Sequence, residues 1–486
     1  MSTAPDLETR GMLASLLAAA PPTFRIEDGT GSFEASTIND WARTAETHLR
    51  DSGIRPGDRV IATVGRTARD IASLIGAQNA GAIVAPVDEN TPARRKSAIA
   101  ENCNARFHLT WHNGDAVADR INRAGTAADD SHAAHLAGSL MIYTSGSSGA
   151  PKGIVCPAPA VEFAIHSIQR CLQYDASDLI AQPLPLTFDY GLYQIWLAMV
   201  AGARVKLYPD GTAGPTFLTR LDRDRITVLP SMPVLTDSLI RVSERRGRTL
   251  SDLRLVTSTG GACSGRQVAG LRRLAPHAHV VPMYGLTECK RATISALGAS
   301  GEGLGAGRAL PDTDVRVRAN RETDLPAGET GEIHVGGPHV MAGYWPLSDN
   351  ELNQRFYTDE YGTRWVATGD SGHLDSTGVL HVEGRLDDVF KSNGYRTSAT
   401  EVEDALQMTD GVDQACVVPP RSGTPYTAVY VGISSPEDVR RELHQVLESA
   451  KHPPYLIPLT DMPLNVNGKI DRPAVARLVA EMGFLE

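Results

Sequence analysis

The segment Tyr143–Gly153 concentrates residue types that suit the binding of phosphate groups. Within eleven residues it holds four aliphatic hydroxyls, three glycines and one lysine. Glycine lets the backbone approach a ligand closely, and hydroxyl and peptide N–H groups are good donors to phosphate oxygens. The spacing fits neither a Gly-x4-Gly-Lys-Ser/Thr phosphate loop nor a Gly-x-Gly-x-x-Gly dinucleotide loop. Composition alone therefore leaves both a phosphate site and a solvated flexible loop open.

Four later segments could complete a site of this kind. Met283–Glu288 follows a predicted strand, and ligands sit at strand ends in open α/β sheets, although Thr or Glu capping a plain turn is the alternative. Val366–Asp370 is predicted to be a turn with an acidic tip, and Gly384–Asp388 lies where the sequence texture changes. Asn467–Arg472 predicts an Asn-Gly hairpin with Lys469 near its tip, where a lysine is ordinarily solvated.

Lysine is rare in this chain, so each lysine is a candidate for a specific role. Only seven of the 47 basic residues are lysine: Lys96, Lys152, Lys206, Lys290, Lys391, Lys451 and Lys469. A lysine is a compact charge on a flexible stem, whereas arginine is a planar fork.

Strand and helix patterns alternate over most of the chain, which predicts an α/β fold with parallel sheets covered by helices. We expect one large N-terminal domain at 1–386, with a β-rich subdomain at about 310–384. A small, mobile α+β C-terminal domain is expected at 387–486, with helices over Ala399–Gln407 and Pro436–Ala450.

Composition excludes several classes of protein. The formal charge is −10, from 47 basic and 57 acidic residues, which argues against a nucleic-acid partner bound by phosphate neutralisation. The six cysteines form no Cys-x-x-Cys pair and no histidine cluster has zinc spacing, so we expect a reducing, cytoplasmic compartment. No apolar run is long enough to span a membrane, and no membrane partner is expected.

The five segments, in this order and at these separations, resemble the adenylate-forming superfamily. That superfamily holds acyl-CoA synthetases, the adenylation domains of nonribosomal peptide synthetases and firefly luciferase. The resemblance covers roughly residues 30–475. It implies an AMP-forming ligase that makes an acyl-adenylate from a carboxylate and MgATP, releases pyrophosphate, and passes the acyl group to a phosphopantetheine thiol.

The resemblance also implies roles for individual residues. The triphosphate loop would comprise Thr144, Ser145, Gly146, Ser147, Ser148, Gly149 and Lys152. Adenine and ribose would be held by Gly260, Gly261, Ala262, Tyr284, Gly285, Asp370 and Arg385. Thr287 would contact the α-phosphate, Glu288 would bind Mg²⁺, and Lys469 would be the adenylation lysine. Asp387 would be the hinge of the C-terminal domain, and Gly394 would line the pantetheine tunnel, although Thr397–Thr400 departs from the family pattern and leaves the acceptor open.

The segment Pro183–Gln194 indicates which class of acyl substrate the enzyme uses. Many fatty acyl- and aryl-CoA synthetases have a histidine where this chain has Phe188, whereas amino-acid-activating domains have Phe-Asp, as here. In those domains the aspartate pairs with the substrate ammonium, and Asp189 is the candidate. Two alternatives stay open: Asp189 caps a helix over Tyr190–Val200, and some fatty acyl ligases share the Phe-Asp-Tyr-Gly-Leu string. Phe188 would be a gate between the carboxylate and the pantetheine tunnel.

By motif offset, the rest of the acyl pocket would be Tyr190, Tyr193, Met232, Thr257, Thr259, Met283, Arg291 and Ala292. Tyrosines and methionines narrow the cavity and favour a small or flat substrate side chain. Arg291 either points inward, which suggests a second carboxylate on the substrate, or pairs with Glu288 or Asp189 in a structural role. The structural role is the one we favour from sequence.

The sequence therefore predicts a ligase that activates a small amino acid and loads it onto a carrier protein. Stand-alone proline-activating enzymes look similar in the Pro183–Gln194 string and in Tyr284–Arg291. Only 17 residues follow Lys469, so the carrier is expected in trans. A CoA synthetase for a non-amino acid and an adenylate-forming amide ligase are the alternatives, and either a monomer or a homodimer fits.

Overall fold

The computed structural model describes residues 11–112, 114–121, 134–145, 151–209, 216–261, 263–298, 305–348, 352–386, 389–392, 395–420, 425–447, 449–465 and 468–484. The helices are α1 (Met12–Ala19), α2 (Ala35–Asp51), α3 (Ala68–Asn79), α4 (Ala93–Asn102), α5 (Ala158–Leu172), α6 (Asp189–Ala201), α7 (Phe217–Arg223), α8 (Pro233–Arg246), α9 (Gly265–Leu274), α10 (Ala399–Gln407), α11 (Pro436–Val446) and α12 (Arg472–Glu481).

Helices separate most of the strands up to β13, and in the described residues no α-helix separates the strands from β14 to β24. The strands are β1 (Arg25–Asp28), β2 (Gly31–Glu34), β3 (Arg59–Val64), β4 (Ile83–Asp88), β5 (Phe107–His112), β6 (Asp115–Arg120), β7 (Leu140–Ser145), β8 (Pro151–Cys156), β9 (Leu179–Gln182), β10 (Arg204–Leu207), β11 (Val228–Ser231), β12 (Leu255–Ser258), β13 (His279–Tyr284), β14 (Thr293–Ile294), β15 (Arg308–Ala309), β16 (Asp314–Asn320), β17 (Thr323–Asp324), β18 (Gly331–Gly336), β19 (Gly343–Tyr344), β20 (Phe356–Thr358), β21 (Arg364–Leu374), β22 (Leu380–Arg385), β23 (Val389–Ser392), β24 (Tyr395–Ser398), β25 (Val412–Val418), β26 (Thr427–Gly432) and β27 (Tyr455–Leu459).

Two large sheets with parallel centres form the main body. The first has the order β15-β14-β13-β12-β11-β9-β10-β1-β2, and β13 through β1 in that order are parallel. The second has the order β19-β8-β7-β4-β3-β5-β6. One hydrophobic core joins both sheets, and helix α6 lies within it with eleven of its thirteen residues buried. A helix that is apolar on all sides is stable only when it is surrounded in this way.

Smaller sheets complete the fold. Antiparallel strands β17-β16-β18-β21-β20, with β22 beside β21, make a six-stranded sheet with its own core. Beyond it, β23-β24 and β25-β26-β27 pack with α10, α11 and α12 around two separate cores. The mixed α/β architecture, with a large N-terminal part and a smaller C-terminal part, confirms the predicted fold class.

Polar contacts hold the C-terminal part against the main body. Arg241 pairs with Asp413 at 3.0 Å, and Arg266 donates to the carbonyl of Val412 at 2.9 Å. The hydroxyl of Ser398 donates to the carbonyl of Glu383 at 3.0 Å. These contacts hold one orientation, in which the loop that carries Lys469 faces the end of the nine-stranded sheet.

Two predicted elements were wrong in extent or type. The helix expected over 436–450 ends at Val446, because Leu447 is extended and the prolines that follow lead the chain into β27. Val366–Asp370 is not a turn, because it lies inside the eleven-residue strand β21. Among the residues that the structure describes, no helix combines the length and apolarity needed to cross a membrane.

Candidate active site

The carboxyl ends of four parallel strands gather most of the predicted site residues. Strand β9 leads to Phe188 and Asp189, and β11 leads to Met232 at the start of α8. Strand β12 leads to Thr259 and Gly260, and β13 leads to the Tyr284–Ala292 stretch. Parallel strands end at the same edge of a sheet, so segments that are distant in sequence meet there.

Asp370 joins this edge from the six-stranded sheet. The hydroxyl of Tyr284 donates to Asp370 Oδ2 at 2.5 Å, and Arg385 donates to Oδ1 at 3.1 Å. Burial raises the pKa of Asp370, and the charge of Arg385 and the hydrogen bond from Tyr284 oppose that rise. Gly369 has φ of 72° in the strand, beside the position at which the pairing register with β22 shifts. The regular strand is thus interrupted on both sides of Asp370.

These residues surround a cavity of about 480 Å³. Its lining includes seven predicted nucleotide-site residues: Gly260, Gly261, Tyr284, Gly285, Asp370, Arg385 and Lys469. We call this part of the site the nucleotide half.

Lys469 reaches the nucleotide half from the C-terminal part of the chain. It lies on a loop closed by antiparallel pairing of Leu464 with Ile470. The side chain is half-buried, and Nζ lies 5.1 Å from the ring centre of Phe188. Loss of water lowers the pKa of the Lys469 ammonium, and the charge of Arg291 lowers it further, against the opposing effects of Asp189 and Glu288. A lysine at this position is ordinarily solvated on sequence grounds, and the structure instead packs it into the cleft.

Gly260 makes room for that lysine. Its φ of 87° is in the left-handed region, and a Cβ atom there would lie 3.2 Å from Lys469 Cε. Gly285 is constrained more tightly, because its Cβ atom would lie 2.0 Å from the carbonyl oxygen of Lys290. The backbone at both positions therefore requires glycine.

Thr287 and Glu288 follow β13 and are both buried. The hydroxyl of Tyr344 donates a short hydrogen bond to Glu288 Oε1. Within the described ranges, no group of three or more His, Cys, Asp or Glu side chains could hold a metal ion. A single carboxylate is nevertheless the donor set that Mg²⁺ uses when nucleotide phosphates and water supply its remaining ligands.

Several predicted residues lie outside the described residues: Gly146, Ser147, Ser148, Gly149, Ala262, Asp387 and Gly394. Thr144 and Ser145 end β7, and Lys152 stands at the start of β8, which pairs antiparallel with β7. The strands on both sides of the predicted triphosphate loop are thus a hairpin.

Asp189 is not the cap of a helix that starts at Tyr190. The helix α6 begins at Asp189 itself, and its N-cap is Phe188, which makes no side-chain capping bond. Asp189 is 3% exposed, and its Oδ1 accepts from the backbone N–H of Tyr190 at 2.8 Å. The carboxylate therefore contacts the helix start through one oxygen only.

Lys290 is the partner of the other oxygen, and sequence reasoning gave it no role. Its Nζ lies 3.9 Å from Asp189 Oδ2 and 5.9 Å from the ring centre of Tyr193, and it donates to Cys156 Sγ at 3.1 Å. Lys290 is 1% exposed and has φ of 62°, a strained conformation for a non-glycine residue. Its rarity as a lysine, next to the predicted pocket residue Arg291, is the signal that could have identified it.

Arg291 pairs with neither Glu288 nor Asp189, so the structural role favoured from sequence was wrong in its stated form. Its guanidinium lies 4.6 Å from the ring centre of Tyr190 and donates to the carbonyl of Lys290 at 2.9 Å. The hydroxyl of Tyr190 is bonded in turn to Thr257, at 2.7 Å from its Oγ1.

The rest of the predicted acyl site consists mostly of buried side chains. Except for the half-buried Phe188, every predicted acyl-pocket residue is buried: Asp189, Tyr190, Tyr193, Met232, Thr257, Thr259, Met283, Arg291 and Ala292. We call Asp189, Tyr190, Tyr193, Lys290 and Arg291 the acyl half of the site.

Known proteins share both the sequence family and the fold. The family of AMP-binding enzymes matches residues 36–139 and 135–345. A plipastatin synthase of Bacillus subtilis (strain 168) is 28% identical over 487 residues, covering 95% of this chain and 13% of that protein. The chain thus spans a small part of that relative's length.

Two solved structures have the same fold. The anthranilate CoA ligase AuaEII in complex with anthranoyl-AMP is 18% identical with a TM-score of 0.84, covering 99% of this chain and 100% of that chain. Holo-AB3403, a four-domain nonribosomal peptide synthetase bound to AMP and glycine, is 22% identical with a TM-score of 0.81, covering 98% of this chain and 38% of that chain.

The family match extends over more than half of the residues, and it includes the four parallel strands whose ends form the sheet edge. The chain therefore belongs to the AMP-binding enzyme family, which confirms the predicted resemblance to the adenylate-forming superfamily and the prediction of an AMP-forming ligase.

Proposed function

We propose that this enzyme activates a small amino acid as its aminoacyl-adenylate and transfers the aminoacyl group to the phosphopantetheine thiol of a carrier protein. In the first step a carboxylate oxygen bonds to the α-phosphorus of ATP and pyrophosphate leaves. In the second step the thiol sulfur bonds to the carbonyl carbon and AMP leaves. The observation that carries the proposal is Lys469, which enters the nucleotide half from a separate part of the chain.

Lys469 suits the first step because negative charge builds up between the carboxylate and the α-phosphate. A cation that is already placed there and partly shielded from water stabilises that charge without reorganisation. The Lys469 ammonium is near Phe188 and Gly260, at the junction of the two halves. A lysine in this position would hold the carboxylate and the phosphate together.

The proposed ATP contacts follow from the donors and acceptors on the cavity wall. Asp370 would accept hydrogen bonds from the ribose hydroxyls, with Arg385 and Tyr284 fixing its carboxylate. Gly260, Gly261 and Tyr284 would enclose adenine, and Thr287 would contact the α-phosphate. Mg²⁺ would be held by Glu288, and when bound it would neutralise charge on the phosphates.

Asp189 supports an amino acid as the substrate. It is a buried carboxylate at the boundary of the acyl half, and the helix start occupies only one of its oxygens. Lys290 neutralises Asp189 from 3.9 Å, beyond hydrogen-bond distance, and a substrate ammonium would add a direct hydrogen bond to the second oxygen. Phe188 beside Lys469 would separate the reacting carboxylate from the path of the thiol.

The second candidate is a CoA synthetase for an acid without an amine. Lys290 favours it, because this buried lysine already supplies a cation 3.9 Å from Asp189. The carrier protein, the hinge at Asp387 and the tunnel at Gly394 remain predictions, as do the domain limits at 386 and 387. The cytoplasm remains the proposed compartment, which the six free cysteines suit.

ATP–pyrophosphate exchange across a panel of amino acids, fatty acids and aryl acids tests the proposal. We expect exchange with a small amino acid and much weaker exchange with the analogue that lacks its amine. Asp189→Ala should remove that preference, while Asp189→Asn keeps the side-chain size and reports the charge alone. Transfer to a carrier protein and to free CoA, measured side by side, would identify the acceptor.

Two outcomes would contradict the proposal at different levels. Equal loss of exchange for amino acids and their desamino analogues in Asp189→Ala would make Asp189 a structural residue and favour the second candidate. No exchange with any acid of the panel would contradict adenylation by this chain.

A further inference from the structure

The acyl half holds more positive charge than its own carboxylates can pair. Asp189 and Lys290 lie 3.9 Å apart and are 3% and 1% exposed. That pair is internal to the protein, and it leaves Arg291 as an additional buried cation next to it. Glu288, the nearest other carboxylate in sequence, is engaged by the hydroxyl of Tyr344.

Most N–H groups of the Arg291 guanidinium have no hydrogen-bond acceptor among the described residues. The guanidinium is 6% exposed, donates one hydrogen bond to the Lys290 carbonyl and stacks on Tyr190. In the part of the chain that the structure describes, it has no carboxylate partner. A guanidinium carries five N–H groups in a planar fork that matches a carboxylate, and a buried charge without a counter-ion is costly.

A second polar group in the same place lacks a partner. The hydroxyl of Tyr193 is buried and makes no hydrogen bond among the described residues. Its surroundings include the charges of Asp189 and Arg291, both of which act on the pKa of Tyr193, which burial raises far above its ordinary value. A guanidinium without a carboxylate partner and an unpaired hydroxyl in one buried cluster are the donors that an acidic group would use.

We propose that Arg291 binds a second carboxylate of the acyl substrate, so that the enzyme activates small acids with two carboxyl groups. The first carboxylate reacts near Lys469, and the second is held by the guanidinium of Arg291 with the hydroxyl of Tyr193 beside it. Lys290 acts as a positioning residue, because it neutralises Asp189 and so prevents that carboxylate from pairing with Arg291. The inference rests on the proposed adenylation and names the substrate class.

The aromatic side chains of the acyl half favour a short substrate chain. Tyr190 and Tyr193 are fully surrounded, and the ring of Phe188 packs edge-on against Tyr190 at 6.1 Å between ring centres. We therefore expect acids of about four carbons to fit better than long-chain dicarboxylic acids.

Four substrates separate this inference from the proposed function. Aspartate, asparagine, succinate and succinamate combine the presence or absence of an amine with the presence or absence of a second carboxylate. We expect exchange with each diacid to exceed that with its amide by about 30-fold or more in kcat/KM, since a buried charge pair is broken in the amide. The amine comparison within the same set tests Asp189 and the proposed function independently.

Arg291→Gln should abolish the preference for the second carboxylate. The diacid-to-amide ratio should fall to within a few-fold of one, mainly through KM, and Arg291→Lys should restore part of it. Arg318→Gln is the matched control, because Arg318 is equally buried but lies in the six-stranded sheet, paired with Asp324 at 2.6 Å. That control should leave the ratio unchanged.

Amides that react as well as diacids in the wild-type enzyme would overturn the inference, and this result does not depend on the folding of any variant. An unchanged ratio in folded Arg291→Gln would overturn it as well. Exchange restricted to monocarboxylic acids with uncharged side chains would contradict the inference and leave adenylation intact, whereas absence of exchange with every acid would contradict the proposed function itself.

Discussion

The nucleotide half and the acyl half of the site are built in opposite ways. The nucleotide half surrounds a cavity of about 480 Å³, and its acidic residue Asp370 is fixed from two sides by Tyr284 and Arg385. In the acyl half, by contrast, the ionic groups Asp189, Lys290 and Arg291 are all buried. Under the proposed function, the first arrangement would receive ATP in every turnover, whereas the second would discriminate among acids through fixed charges. Changes in the nucleotide half should therefore affect all acids alike, and changes in the acyl half should alter their ranking.

The largest uniform effect is expected from Lys469→Ala. Removing a preorganised cation from the point of charge development should lower pyrophosphate exchange by roughly 10²- to 10³-fold for every acid. Thiol transfer from a preformed adenylate, and folding, should largely survive. The measurement is exchange alongside single-turnover thioester formation.

Lys451→Ala is the matched control for that variant, because Lys451 is a lysine of the same C-terminal part that pairs with Glu401 away from the cavity. Its exchange rate should stay near that of the wild type. If exchange in Lys469→Ala stayed near the wild-type rate, the nucleotide half would not be the site of adenylation.

A smaller uniform effect is expected from Asp370→Asn. The loss of charge-assisted hydrogen bonds to ribose should raise KM for ATP by roughly 10- to 100-fold with every acid. The KM for the acid should change little. The control is Asp375→Asn, which removes a carboxylate near the end of the same strand and should leave the KM for ATP and the KM for the acid unchanged. If Asp370→Asn instead raised the KM for the acid and not the KM for ATP, the division of the site into two halves would be wrong.

Gly260→Ala should act through Lys469 and cost about tenfold in kcat, because the new methyl group adds strain and displaces the lysine by a few tenths of an ångström. Gly247 offers a matched control, since its φ is 60° and nothing lies within 4 Å of a Cβ atom there. Kinetic assays of both variants would check this. Equal losses in the two would mean that backbone strain, and not contact with Lys469, is responsible.

The smallest expected effect is on pH dependence. Burial lowers the pKa of Lys469, so its ammonium loses its proton at a lower pH than an ordinary lysine, whose pKa is about 10.4. Exchange should decline on the alkaline side below that value, equally for all acids. In Lys469→Arg the alkaline decline in exchange should move to higher pH, because a guanidinium stays protonated. If the decline stayed at the same pH, its cause would be the titration of another group.

Much of the nucleotide half could be predicted from the sequence. The motif residues follow strand ends, and the parallel sheet brings strand ends together, so Gly260, Tyr284 and Asp370 meet as expected even though Asp370 was assigned to a turn. The helix expected over Ala399–Gln407 has those bounds in the structure. Local patterns and strand order are sufficient for these features.

The acyl half could not be predicted in the same way, because its chemistry depends on side-chain pairing across the core. Lys290, and not Arg291, lies next to Asp189, and the backbone of Lys290 is in a left-handed conformation that no neighbouring residue indicates. The hydrogen bond from Tyr344 to Glu288 likewise joins residues that are 56 positions apart. A contact between residues this far apart in sequence has no signal in the local sequence pattern.

The burial of helix α6 constrains how the substrate range of this enzyme can be engineered. Eleven of thirteen residues in α6 are buried, and a Cβ atom on Gly191 would lie 2.4 Å from the carbonyl oxygen of Pro185. A substitution on this helix alters the packing of the whole core, so libraries that randomise Tyr190 or Tyr193 should yield mostly unstable proteins. The stretch after β13 follows a strand end, so Arg291 is the position at which new specificities should be sought first.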